Sequence, residues 1–280
     1  MHTPVLLKEV IDHLNIKEGG LYIDATVGEG GYTNEILRLG GKVLGLDSDQ
    51  EQIDNVSKNL ESRITNKMLK LVQGNFADIG KIAKEYQFFP VDGIVFDLGL
   101  SMRQLSESGR GFSYKNREEP LDMRLDTHTE KVAADYINTL SEQNLYELFA
   151  KNAEELNSRA VAHVIAGART VRKIKTVGDL IRVIEKAIGE SDTQVFRRIF
   201  QALRIEVNQE FENLKRGLKG AKELIKDKGK ILVVTFHSLE DRMVKQFAAA
   251  NELRFETKKP ITGSFHHVFE RSAKLRVITH

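Results

Sequence analysis

Short apolar runs alternate with helix-period stretches over residues 1–100. Leu21–Thr26, Val43–Asp47, Leu69–Gln73 and Val91–Asp97 read as strands, and Asn34–Leu39, Gln50–Leu60 and Ile79–Tyr86 as helices. This rhythm predicts βαβ units and a parallel sheet. It breaks near Ser101, where the polar residues 101–127 read as one long loop. Loops of that length inside a compact domain usually carry function. Helical patterns without an intervening strand follow at Lys131–Asn138, Ser141–Phe149, Leu156–Arg169 and Val177–Ala187. A small helical domain inserted into the sheet domain is therefore expected. One long amphipathic helix then runs through Phe196, Ile199, Phe200, Leu203, Val207, Phe211, Leu214 and Leu218. Gly229 is its expected stop, Lys230–Phe236 a fifth strand, and Leu253–Lys258 and Lys274–Thr279 two closing strands.

The 280 residues, 41% hydrophobic and 29% charged, suffice for one large α/β domain carrying a smaller one. The absence of cysteine excludes disulfides, Cys-ligated zinc, iron–sulfur clusters and a thiol nucleophile, and no metal is expected. The opening MHTPVLLKEV lacks the layout of a signal peptide. The longest apolar stretch, Ile231–Phe236, is far too short to span a bilayer. A cytoplasmic protein without membrane contact is expected. The net charge of +2 is neutral evidence on nucleic acid, so local clusters matter more. These are Arg169, Arg172, Lys173 and Lys175; Arg197 and Arg198; Lys258 and Lys259; and Arg271, Lys274 and Arg276.

Asp24-Ala25-Thr26-Val27-Gly28-Glu29-Gly30-Gly31 lies between a predicted strand and helix. Glycines there admit positive φ and close ligand approach, and the helix start offers unpaired N–H groups. The third glycine of a dinucleotide pattern is replaced by Thr33, which argues against NAD. Asp47 ends the next strand, where an acid can accept both ribose hydroxyls of an adenosine. Asp24, Gly28, Gly30 and Asp47 together fit an adenosyl ligand that needs no pyrophosphate. Ligands of open α/β sheets bind at the carboxyl ends of the strands, which places Phe76 near an adenine and Asp97 near a reacting group. His237 follows the fifth strand, and Ser238 with Asp241 is spaced as a capping box. Gln201, Arg204 and Asn208 form a polar stripe on the long helix, suited to holding the inserted domain to the sheet.

HTPVLLKEV, DATVGEGG, GLDSD, DGIVFDLGLS, GRGFSY, PLDMRLD, FQALRIEVN, FHSLEDR and RSAKLRV, in this order from His2 to Val277, resemble the bacterial 16S ribosomal RNA cytosine-N4 methyltransferases, the RsmH or MraW family. The resemblance implies a Rossmann-like class I methyltransferase fold: residues 1–105 and 209–280 would bind S-adenosyl-L-methionine, and residues 106–208 would form the inserted helical substrate-recognition domain. It implies N4-methylation of a decoding-centre cytidine in 16S ribosomal RNA within the small subunit. Its cofactor contacts fall on Gly30, Gly31, Tyr32, Asp47, Phe76, Asp97 and Gln104. Tyr32 departs from the family's usual His, and Met102-Arg103 from its Ser-Pro.

Cytosine N4 has a lone pair delocalised into the ring and needs acceptors that steer it. Asp97, Ser101 and His237 are the candidate catalytic residues. A target base must be flipped out or taken from a single strand and then stacked, with Phe112 the candidate platform and Arg110 the candidate phosphate contact. An amino-methylase acting on DNA or another RNA, and a non-catalytic ribosome-assembly factor, are the alternatives. A homodimer is admissible.

Overall fold

The computed structural model describes residues 4–188, 193–263 and 272–279. Arg271 of the last basic cluster, and His2 and Thr3 of the first motif, lie outside the described residues. The described strands are β1 (Leu21–Asp24), β2 (Lys42–Asp47), β3 (Leu69–Gln73), β4 (Val91–Asp97), β5 (Ile225–Thr235), β6 (Arg254–Phe255), β7 (Ile261–Thr262) and β8 (Lys274–Thr279). They form one sheet in the order β3-β2-β1-β4-β5-β8-β6, with β7 paired to β8. β1 to β5 are mutually parallel, and β8 runs antiparallel to β5, β6 and β7. The strand order reverses between β1 and β4, the kind of switch point at which α/β sheets bind ligands. This is the expected Rossmann-like α/β architecture.

The inner strands are apolar on both faces because helices cover both. Val43, Val95, Leu232 and Val234 pack against α1 (Leu7–Leu14), α2 (Gly31–Arg38) and α3 (Gln50–Asn59) through Val10, Leu14, Ile36 and Val56. A short α4 (Glu61–Thr65) precedes β3. The alternate residues Leu44, Leu46, Ile94, Phe96 and Val233 meet Ile79 of α5 (Ile79–Glu85) on the opposite face. Near-continuous apolar strands are the signature of a sheet buried on both sides.

The chain packs as two compact units, residues 1–100 with 211–280, and residues 101–210. The second unit contains α6 (Met102–Ser106), α7 (Ala133–Thr139), α8 (Glu142–Ala153), α9 (Ser158–Val171), α10 (Val177–Ile188) and α11 (Thr193–Asn208). Leu145, Phe149, Val161, Ile165, Leu180, Ile184, Ile199 and Leu203 are its fully buried centre. The first unit is completed by α12 (Glu210–Leu224) and α13 (Ser238–Ala250), whose Leu214, Leu218 and Val244 join the core with Ile79. No helix of the described residues is long and apolar enough to cross a membrane.

Several expectations are corrected. The stretch 101–127 is not all loop, because Ser101 caps α6 with a capping box closed by Gln104. The long amphipathic helix is two helices, broken at Gln209, whose φ of +51° no helix can contain. The polar stripe serves that break from within the second unit: Arg204 donates twice to Glu210, at 2.7 and 2.9 Å. Asn208 accepts from the Leu125 N–H and donates to the Met123 carbonyl, both at 2.8 Å. Gly229 is not the helix stop. α12 already ends at Leu224, and β5 slips register against β4 between the pairs Val91–Ile225 and Gly93–Lys230. Lys228, at φ +63°, turns the chain inside that irregularity.

Candidate active site

β1, β2 and β4 are neighbours, and each ends in an aspartate. Asp24 pairs with Gly45 and Val95, so Asp47 and Asp97 each project beyond it at the carboxyl edge. Asp24 is fully buried. It accepts the Thr33 hydroxyl at 2.7 Å and the Thr26 N–H at 3.4 Å. Burial pushes its carboxyl up to about 6 against those hydrogen bonds. Asp47 accepts the Gly28 N–H at 2.8 Å and the Asp49 N–H at 2.9 Å. Burial, then the charges of Asp49 and Asp24, push it up to about 6. The Asp97 N–H donates to the Thr26 hydroxyl at 2.7 Å, while its carboxylate accepts the Gly99 N–H at 3.4 Å. Burial, then Asp24 and Glu240, push Asp97 up to about 7. None of the three forms an ion pair within the described residues.

The glycine loop has one open and two closed positions. A Cβ on Gly28, at φ +50°, would meet nothing nearer than the Thr26 carbonyl at 4.0 Å. One on Gly30, at φ +81°, would press on Val56 at 3.0 Å, and one on Gly31 would overlap Pro4 at 2.1 Å. Gly30 and Gly31 therefore let α2 start close under the chain, while Gly28 leaves space beside Asp47. This set suits a ligand carrying hydroxyls and positive charge: acceptors with spare lone pairs, no counter-cation and an open backbone.

Phe76 sits after β3 in a 3-10 turn, edge-to-face with Phe96 at 5.6 Å. A Cβ on Gly217 would come within 2.8 Å of its ring, so α12 also fixes it. Tyr32 is 3% exposed, and its hydroxyl donates to the Val5 carbonyl. Ser101 and Gln104 belong to the second unit, where the Ser101 hydroxyl accepts the Gln104 N–H at 3.1 Å and the Gln104 side-chain oxygen accepts the Ser101 N–H at 3.0 Å.

The capping box of α13 is shifted one residue from expectation. His237, not Ser238, is the N-cap, and its Nδ1 accepts the Glu240 N–H at 3.4 Å. Glu240, 3% exposed, accepts the Phe236 N–H at 2.8 Å, and its other oxygen lies 3.0 Å from His237 Nε2, outside hydrogen-bond alignment. Asp241 instead pairs with buried Arg276 at 2.8 and 3.2 Å. Arg110 donates to the carbonyls of Arg124 and Leu125 and lies 5.5 Å over the Phe112 ring. Phe112 is only 7% exposed. In this conformation the Phe112 ring is buried and the Arg110 guanidinium is bonded to carbonyls of its own loop. The basic clusters divide likewise. Arg169 is tied to the Ile137 carbonyl at 2.6 Å and Arg198 faces Glu155 at 3.5 Å, whereas Arg172, Lys173 and Lys175 are exposed. Sequence reasoning missed Thr33, Thr26 and Glu240. Only the three-residue spacing from His237 to Glu240 could have signalled one of them.

A family model described as the MraW methylase family matches residues 1–280. The chain is 42% identical to ribosomal RNA small subunit methyltransferase H of Thermomicrobium roseum, over 98% of this chain and 92% of the relative. It is 40% identical to the protein of the same name from Dictyoglomus thermophilum, over 99% and 96%. The crystal structure of PH0851 matches with a TM-score of 0.51 at 13% identity, covering 100% of this chain and 46% of that one, a likeness of fold.

Proposed function

The chain belongs to the MraW methylase family and is a methyltransferase using S-adenosylmethionine, and on that premise we propose that it methylates the N4 amine of a decoding-centre cytidine in 16S ribosomal RNA, acting on the small subunit in the cytoplasm. The observation that carries the site assignment is the set of three strand-end carboxylates, without cationic partners, around the open Gly28.

When bound, the cofactor supplies an electrophilic methyl group on a positively charged sulfur. Each oxygen of Asp47 keeps a lone pair beyond its backbone bond and can accept a ribose hydroxyl. Phe76, held by Phe96, would take the adenine side. The backbone of Gly30, Gly31 and Tyr32 lines the start of α2. Asp97 lies at the switch point between β1 and β4, where its carboxylate would face the positive charge of a bound donor and the adjoining carbonyls of Leu98–Leu100 would accept the amine hydrogens of a cytosine. Ser101 and Gln104 shape the start of the following helix. Productive attack requires the amine within roughly 3–3.5 Å of the methyl carbon, in line with the leaving sulfur. No general base is needed, because the methylated amine is acidic and loses its proton to water. His237 is then a positioned cap held by Glu240 rather than a proton acceptor. Arg172, Lys173 and Lys175 are the candidate phosphate contacts.

The test is methyl incorporation from labelled S-adenosylmethionine into intact small subunits, protein-free 16S RNA, a short decoding-region oligonucleotide and duplex DNA. N4-methylcytidine formed fastest on intact subunits is the expected result, because a preformed surface engages several weak contacts at once. Equal rates on the oligonucleotide, or preference for DNA, refute the substrate assignment.

A further inference from the structure

We propose that Phe236 is a positioning residue for methyl transfer: its ring rests on the bare main chain of Gly99 and sets the direction of the Leu98–Leu100 carbonyls. The inference rests on the cytidine reading above and deepens it, because those carbonyls are the acceptors assigned there to the amine hydrogens.

β4 and β5 lie side by side, with Asp97 opposite Val234. One further bond, from the Leu98 N–H to the Val234 carbonyl at 3.1 Å, continues the pairing past the end of β4. Beyond it, the carbonyls of Leu98, Gly99 and Leu100 accept no hydrogen bond from any group among the described residues. All three residues are half-buried. They supply three consecutive acceptors at the carboxyl edge of the sheet, next to Asp97. An amine with two hydrogens is the kind of donor that such a run of acceptors suits.

Packing holds this run in place. A Cβ on Gly99 would lie 2.7 Å from Phe236 Cε2, 2.8 Å from its Cζ and 3.2 Å from its Cδ2. Gly99 does not have a positive φ. The position therefore takes glycine for space and not for backbone freedom. The ring has little room to yield, since it packs with Val95, Leu232 and Val234 on one face of the sheet. The Phe236 N–H donates to the Glu240 carboxylate at 2.8 Å, inside the cap of α13. Buried Glu240 thus holds Phe236, and Phe236 holds the loop at Gly99. Carbon atoms in ordinary contact sit about 3.5–4.0 Å apart. A methyl group at position 99 would therefore displace the loop or the ring by about 1 Å, a misplacement that costs on the order of a hundredfold in rate.

The experiment measures kcat and KM for N4-methylcytidine formation on intact small subunits, and calorimetric affinity for S-adenosylmethionine, in wild type, Gly99→Ala, Phe236→Leu and the double variant. Gly99→Ala should lose on the order of a hundredfold in kcat, with subunit KM and cofactor affinity within about threefold of wild type. Phe236→Leu should lose on the order of tenfold in kcat, because the loop loses its support. In the double variant the smaller side chain makes room for the new methyl group, so kcat should return to the Phe236→Leu level. Independent losses would instead multiply to about a thousandfold, which is what a merely structural role predicts. Phe236→Met replaces Phe236→Leu where that variant folds poorly. Unchanged kcat in Gly99→Ala, a loss that falls on cofactor affinity instead of kcat, or multiplied losses in the double variant overturns the inference while the cytidine reading stands. Wild type that forms no N4-methylcytidine on the subunit overturns that reading, and the inference with it.

Discussion

Asp24→Asn should make the cofactor-free protein more stable at alkaline pH while weakening the cofactor site. Asp24 is 0% exposed, and its carboxyl stands at about 6 in the folded chain. An unfolded aspartate titrates at about 3.9, so the folded state binds more protons between those values. Stability from this group is fully present below about pH 4 and lost as pH rises through about 6. Roughly two pH units at 1.36 kcal/mol each put the loss at about 3 kcal/mol by pH 8. Asp47 and Asp97, at about 6 and about 7, act in the same direction. Despite burial, the Lys226 hydrogen bond holds Asp92 below the usual range, and Arg276 does the same for Asp241. Those groups titrate in more acid solution, which leaves the window from about pH 4 to 7 to the three raised acids. Asn keeps an oxygen for the Thr33 hydroxyl but turns an amide toward the Thr26 N–H, which costs about 1 kcal/mol. The net gain at pH 8 is about 2 kcal/mol. The assay is urea denaturation at pH 5, 6, 7 and 8 without cofactor. A variant whose stability falls with pH as steeply as wild type would refute the reasoning.

Asp47→Ala should weaken S-adenosylmethionine binding by on the order of tenfold or more, because charge-assisted bonds to hydroxyls are worth about 1.5–3 kcal/mol each; calorimetry showing unchanged affinity in a folded variant removes Asp47 from the site. Changing Arg172, Lys173 and Lys175 together to Ala should weaken binding to 16S RNA and reduce its logarithmic salt slope by about two, with cofactor affinity intact. An unaltered slope would mean that this exposed basic run is only a solvated face.

The strands were legible because their signal is local. β3 and β4 have the predicted limits, and β4, buried on both faces, is a short apolar run between polar ends. The break at Gln209 was not, because Val207 and Phe211 continue a helical period across it. What stops the helix is a tertiary demand, the Asn208 side chain bound to the main chain at Met123 and Leu125. The register slip before Gly229 is hidden for the same reason, since only the pairing with β4 reveals it. Within the site, Asp24, Asp47 and Asp97 stood out as acids ending apolar strands. The roles of Arg110 and Phe112 did not, because a basic residue near an aromatic reads alike whether it faces RNA or folds back onto carbonyls fourteen and fifteen residues away.

Thr33 links the sequence argument to the electrostatic one. In the sequence it counts against a dinucleotide site only by standing where a third glycine belongs. In the structure its hydroxyl is the closest donor to Asp24, at 2.7 Å. A glycine there would leave that buried carboxylate with main-chain donors alone, from Thr26 and from residue 33 itself. The residue that spoils the pyrophosphate pattern therefore supplies the one side-chain donor to the acid at the end of β1. With Asp47 and Asp97 beside it, the switch point gathers negative charge where a dinucleotide site would offer a helix N-terminus to phosphates. A pyrophosphate would meet three carboxylates already raised by burial, two of them also by the charge of Asp24. A sulfonium with an ammonium group would relieve them, lowering their proton affinity as it binds. On the proposed assignment, the same cluster that destabilises the empty protein above neutral pH would select the charge of its ligand.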